Sequence, residues 1–150
     1  MIDPDQPTAG RFDGSEHLFP VRVYFEDTDL SGVVYHANYL RWMERARSAM
    51  LRLAGIDQRA FHQAGEGAYA VADLHIRYRA PARLDDDLLV VSRVTRVAAA
   101  SVVVHQVVRL GARELAVADV TVALVAASGR PRRQPPAWID LFKRLAKDNE

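Results

Sequence analysis

The chain has 150 residues, a one-domain length, and its 49% hydrophobic and 26% charged residues are the balance of a folded protein. Its 20 basic and 19 acidic residues leave a formal net charge of +1, which excludes the large basic field that duplex nucleic-acid binding requires. Cysteine is absent, so disulfides, thiol nucleophiles, thiolate metal sites and iron–sulfur ligation are excluded together.

Residues 1–16 (MIDPDQPTAGRFDGSE) carry Pro, Gly and Asp but no apolar core, and read as a disordered arm, not a signal peptide. Residues 18–25 (LFPVRVYF), rich in β-branched and aromatic side chains, read as a strand, followed by a polar turn, EDTDLSG. Over residues 37–54, Tyr39, Leu40, Met43, Ala46, Met50 and Leu53 recur at three- and four-residue steps. Arg41, Glu44, Arg45, Ser48 and Arg52 take the opposite face, which predicts one long helix stopped by Gly55. A short helix is expected at Gln58–Gln63.

From Ala68 the period changes to two. Ala72, Leu74, Ile76 and Tyr78 alternate with Asp73, His75, Arg77 and Arg79, as in a strand with one buried face. Pro81 breaks it; residues 88–97, 101–110 and 114–125 are three more Val-rich strands, and their short connections predict consecutive antiparallel pairing. The expected fold is α+β, a five-stranded antiparallel sheet curled around one long helix. The domain should span 17–128, with a basic linker and an amphipathic helix over 129–150. Val103 and Val107 share one face of their strand and Val102, Val104 and Val108 the other, so a second copy or the terminal helix should cover the sheet. No apolar run approaches the roughly 18–20 residues of a membrane span, so a cytoplasmic chain without stable membrane insertion is expected.

Chemistry concentrates in residues 21–47, VRVYFEDTDLSGVVYHANYLRWMERAR. Asp27, Asp29 and Ser31 fall in a strand-to-helix turn, with Gly32 next and His36 at the helix start. A helix N-terminus offers unpaired N–H groups and partial positive charge, which suit an oxyanion developing on a carbonyl. A carboxylate beside it can attack that carbonyl or activate water. Capping is the favoured role for Asp27, and from spacing alone it is also the default for Asp29. Alone, His36 reads as structural and Tyr35, Tyr39 and Trp42 as core. The histidines show no metal spacing, and GxSxG, P-loop and GxGxxG motifs are absent, so no metal or organic cofactor is implied.

The stretch EDTDLSGVVYHANYLRWMERAR resembles the signature of the 4-hydroxybenzoyl-CoA thioesterase family of hotdog proteins, nearest to the Tol-Pal-associated acyl-CoA thioesterases. PARLDDDLLV resembles the family's second block, and the likeness spans roughly residues 20–126. The resemblance implies hydrolysis of acyl-CoA thioesters, and a departure at the CoA-phosphate turn keeps acyl-carrier-protein thioesters as the alternative substrate. It implies Asp29 as nucleophile or general base and an oxyanion donor at His36. Gly32, Val33, Tyr35, Asn38, Tyr39 and Arg79 are the expected substrate-binding residues. It also implies a site at the interface of a homodimer, with dimers pairing into tetramers. One departure is Ala98-Ala99-Ala100, where some relatives carry basic residues for the CoA phosphates. Arg77, Arg79, Arg83, Arg93 and Arg96 are the substitutes to examine. The competing reading is a non-hydrolytic acyl-binding or scaffold protein of the same fold.

Overall fold

A computed structural model describes residues 2–147; Met1 and residues 148–150, the outer ends of the arm and of the C-terminal stretch, lie outside the described residues. The elements run β1 (Arg11–Asp13), β2 (Glu16–Arg22), α1 (His36–Leu53), α2 (Gln58–Gln63), β3 (Ala68–Tyr78), β4 (Asp87–Val97), β5 (Ser101–Leu110), β6 (Arg113–Val125) and α3 (Pro136–Lys147). Six strands form one antiparallel sheet in the order β1-β2-β4-β5-β6-β3. The extra strand corrects the expected five, and it lies in the arm that composition marked as disordered. Gly14, at φ 61°, turns that arm into a hairpin pairing Arg11 with Leu18.

The first long strand ends earlier than its apolar run. Val23 exchanges main-chain hydrogen bonds with Asp85 and Asp86, both 3.0 Å, which draws it off the ladder, and Phe25–Asp27 winds into a single 3-10 turn. In α1 the buried stripe is Tyr39, Trp42, Met43, Ala46, Ala49 and Met50; Leu53, expected inside, is exposed. The helix ends in a Schellman arrangement, with the Ile56 N–H bonded to Leu51 O at 2.9 Å and Gly55 at φ 94°.

α1 packs on the sheet face formed by the even residues of β5. Its N-terminal half meets Val90, Val108, Leu115, Ala118 and Val120. Its C-terminal half joins Val94, Val102, Val104 and Phe142 of α3. The terminal helix therefore covers the same face as α1, and Val103 and Val107 on the other face stay partly exposed. A buried polar chain crosses the layer: Arg47 Nη1 donates to Gln106 Oε1, and Gln106 Nε2 donates to Met43 O and Ser92 Oγ, each at 2.9 Å.

The ladder shifts register at three places, one of them between Val108 and Arg109 in the β5–β6 pair, and the other two re-aim side chains. The β4–β5 register shifts between Val94 and Arg96, so Val94 and Val97 both face the helices. The β3–β6 register shifts between Val71 and Asp73, so Tyr69 and Val71 share a face with Leu74, Ile76 and Tyr78. β3 is an edge strand, and Val71, Leu74 and Tyr78 on that face are exposed. Among the described residues no helix is long and apolar enough to cross a membrane.

Candidate active site

The loop between the 3-10 turn and α1 is built from main-chain bonds. Asp29 N–H donates to Val33 O at 2.9 Å and Gly32 N–H to Asp29 O at 3.1 Å, while Thr28 bridges Val34. Gly32 sits at φ 83° with open space where a side chain would start, so backbone conformation is what calls for glycine. The loop is pinned to residues 82–83, with Val34 N–H bonded to Ala82 O at 2.9 Å and Val33 bridging Arg83. Tyr39 completes the clamp, its hydroxyl accepting the Ala82 N–H at 2.9 Å.

The two carboxylates of the turn do different work. Asp27 Oδ2 accepts the Tyr24 N–H at 2.8 Å, the capping role favoured from sequence. Its carbonyl accepts the Tyr35 N–H at 2.9 Å and Asn38 Nδ2 at 2.8 Å. Asp29 is exposed, and its Oδ1 accepts both the hydroxyl of Ser31 at 2.5 Å and its N–H at 2.8 Å. The Ser31 hydroxyl first, then its amide, hold the Asp29 carboxyl below the usual carboxylate range. Around it lie Phe25, Leu30 and Leu84, all exposed despite their apolar side chains. Exposed apolar surface around an ionised carboxylate is what a bound ligand or partner would cover.

α1 begins beside this loop without a side-chain cap, since Tyr35 at the N-cap makes no such bond. The His36 and Ala37 N–H groups have no acceptor among the described residues. His36 is exposed, its ring 4.5 Å from Tyr35 and 6.2 Å from Tyr78 between centroids, and its carbonyl accepts the Tyr78 hydroxyl at 2.9 Å. His36, Tyr39, Tyr78 and Arg79 line one depression, and Asp29 and Gly32 line a neighbouring one with Phe25 and Leu84. Both openings flank the same loop. The thioesterase superfamily model matches residues 31–130.

The chain belongs to the thioesterase superfamily. It is 41% identical over 128 residues to the acyl-CoA thioester hydrolase YbgC of Escherichia coli O6:H1, covering 84% of this chain and 95% of that one. It is 43% identical over 107 residues to the acyl-CoA thioesterase YbgC of Haemophilus influenzae, covering 71% and 79%. A probable thioesterase from Bartonella henselae superposes with a TM-score of 0.76 at 37% identity, over 80% of this chain and 99% of that one. The 1,4-dihydroxy-2-naphthoyl-CoA thioesterase of Synechocystis, 24% identical, shares the fold with a TM-score of 0.80 over 85% and 96%. The sheet laid against one long helix is thus the hotdog fold expected from the resemblance.

Within this thioesterase the other expected site residues divide by position. Tyr35 is exposed at the helix start, and Val33 is half-buried on the loop. Asn38 is buried and spends its amide on Asp27 O, and Tyr39 is almost wholly buried, so both act chiefly as supports. Arg79 reaches the His36 depression but pairs with Glu114 at 2.9 Å. Arg77, Arg93 and Arg96 lie in register with Val117, His105 and Val103, on the sheet face away from α1. Gln134 fills the Ala98–Ala100 turn, its N–H donating to Ala99 O and its Nε2 to Ala98 O, both 2.9 Å. Sequence reasoning gave Tyr78 only a strand position. A phenolic hydroxyl at the end of an otherwise aliphatic row was the available signal. No group of three or more metal-ligating side chains occurs among the described residues.

Proposed function

We propose that this protein hydrolyses acyl-CoA thioesters to free acid and thiol, with Asp29 as the reacting carboxylate. The observation that carries the reading is an exposed carboxylate, kept ionised by Ser31, one loop away from an uncapped helix start. Likeness to relatives named acyl-CoA thioesterases at 41–43% identity supports the substrate. The thioester oxygen is received by the His36 N–H, where the helix start favours negative charge. Gly32, Val33 and Tyr35 flank it.

Two routes fit. In the first, an Asp29 oxygen attacks the carbonyl carbon, the C–S bond breaks, and the thiolate leaves and takes a proton from water. Water then cleaves the mixed anhydride and restores Asp29. In the second, Asp29 takes a proton from a water whose oxygen attacks directly, and the thiolate again leaves and is protonated. Both consume one water per thioester, and neither calls for a cofactor.

The working unit is at least a homodimer paired along β3, and the outer sheet face suits the pairing of dimers into a tetramer. β3 is an open edge eleven residues long whose helix-side apolar row is exposed. An acyl-carrier protein presents the same thioester on an acidic scaffold, which exposed Arg130 and Arg133 would suit. The test is free-thiol release from short, long and aromatic acyl-CoAs by wild type and Asp29→Asn. Turnover should fall by about two orders of magnitude or more in the variant. Saturable acyl-CoA binding with no turnover of CoA or carrier-protein esters would instead support a non-hydrolytic acyl-binding protein.

A further inference from the structure

α1 carries a cation that neither the core nor the Asp29 loop accounts for. Arg47 is half-buried, and its one side-chain hydrogen bond goes to Gln106, itself fully buried and held on both sides. Among the described residues no carboxylate lies within 4.0 Å of its guanidinium. Glu44, one turn earlier and exposed, acts on it only through the longer-range field, and burial outweighs that attraction and lowers the Arg47 pKa. A guanidinium has five N–H donors, so most of those of Arg47 remain available.

Arg47 lines a cavity of about 210 Å³ whose apolar walls are mainly Met50, Leu51, Val102, Val104, Val122 and Phe142, with Glu44, Ser48 and Gln58 on its polar side. The cavity reaches β3 at Tyr69 and Val71, and the other end of β3 carries Tyr78, bonded to the helix start at His36. Antiparallel pairing of two copies along β3 puts the Tyr69–Val71 end of one opposite the Tyr78 end of the other. The cavity of one copy then adjoins the Asp29 loop of the second. An apolar cavity of about 150 Å³ holds a benzene ring, so this one holds a single substituted ring or a short chain.

We propose that this cavity receives the acyl group and that Arg47 selects short acyl groups ending in a carboxylate. The inference rests on the thioesterase reading above and adds the chemistry of the substrate's far end. An apolar acyl group would strip water from the guanidinium and leave its donors unpaired. A terminal carboxylate would take two of them in a parallel pair and supply the direct ion pair that Glu44 does not make. Glu44 lines the same cavity but lies beyond 4.0 Å of the guanidinium, so it makes no ion pair with Arg47 and leaves the bidentate position open.

The test compares adipyl-CoA with hexanoyl-CoA, six-carbon esters that differ only at the far end. Wild type should favour adipyl-CoA in kcat/KM by roughly tenfold or more. Arg47→Met should bring that ratio to about one, mostly through KM, and Arg47→Lys should keep part of it. A wild-type ratio near one, or a ratio unchanged in Arg47→Met, overturns the proposal. So does a larger preference for 4-hydroxybenzoyl-CoA that Arg47→Met abolishes, since a hydroxyl would then be the selected group. If neither of these, nor any of the other CoA and carrier-protein esters tested above, is hydrolysed, the thioesterase reading fails. Wherever these two are not hydrolysed, their calorimetric binding decides on Arg47 by the same ratio.

Discussion

Replacing Tyr39 by Phe removes one oxygen and leaves the ring in its edge-on contacts with Trp42 and Tyr78. The lost hydroxyl is the acceptor of the Ala82 N–H at 2.9 Å, and Ala82 is wholly buried, so water cannot readily replace it. Stranding one buried backbone donor costs about 1–3 kcal/mol. A chain of this size loses about 2–4 °C of Tm per kcal/mol, so Tm should fall by roughly 2–12 °C, read by circular dichroism. The same segment fixes Val33 and Val34 through Arg83 and Ala82 O, so kcat/KM should fall several-fold as the Asp29 loop loosens. A Tm within 1 °C of wild type would refute the reasoning, because the Ala82 amide would then have another partner. A lower Tm with unchanged kcat/KM would mean that the clamp supports the fold and not the site.

Three further outcomes are expected. Because Asp29 is held below the usual carboxylate range by Ser31, activity should persist as pH falls through that range and fail only below it. Ser31→Ala should move this acid limb to higher pH while leaving the rate near neutrality little changed, as a pH–rate profile would read. His17 is buried with Nε2 on Ala9 O at 2.8 Å and Nδ1 unpartnered, and burial lowers its pKa from 6.5 despite that hydrogen bond. The unfolded chain gains a proton below about pH 6.5 while the folded one resists, so this stability is complete above that pH and lost below it. Tm measured from pH 5 to 8 should therefore slope less in His17→Gln. Phe142 is 2% exposed between α1 and the sheet, so Phe142→Ala should cost about 3–5 kcal/mol in urea unfolding. A cost below about 1 kcal/mol would show that α3 merely rests on the surface.

Where one physical signal acted alone, the chain was legible. The heptad-like apolar spacing marks α1 to within a residue at each end, and the short helix Gln58–Gln63 falls on its expected bounds. The period-two runs mark β4, β5 and β6 nearly as well. Legibility fails where tertiary bonds override local pattern. Val23 leaves its strand because Asp85 and Asp86 capture its backbone, although Val-Tyr-Phe is a good strand sequence. β1 forms in a Gly- and Pro-rich arm because an adjacent sheet edge offers hydrogen bonds that composition does not disclose. In the site, the two aspartates of Asp-Thr-Asp are equivalent by spacing. Geometry separates them, since one caps the turn and the other meets Ser31 in the open. Asn38 and Tyr39 read equally well as lining or support, and only their bonds to Asp27 and Ala82 show that they brace the loop.

β3 supports the proposal that a second copy completes the site. The bulge between Val71 and Asp73 brings Tyr69, Val71, Leu74, Ile76 and Tyr78 onto one face, an apolar and aromatic row patterned for burial. Yet three of the five are exposed, because α1 packs nearer the middle of the sheet and β3 is its edge. A strand patterned for burial and left open is a liability unless another surface meets it. The same end of the molecule leaves Phe25, Leu30 and Leu84 exposed around Asp29, while Asp29 and His36 line separate depressions. A second copy paired along β3 would cover the apolar row and wall the loop from the far side, turning two shallow depressions into one cleft. The chemistry would then belong to the pair, with the proposed carboxylate of one copy facing the acyl cavity of the other.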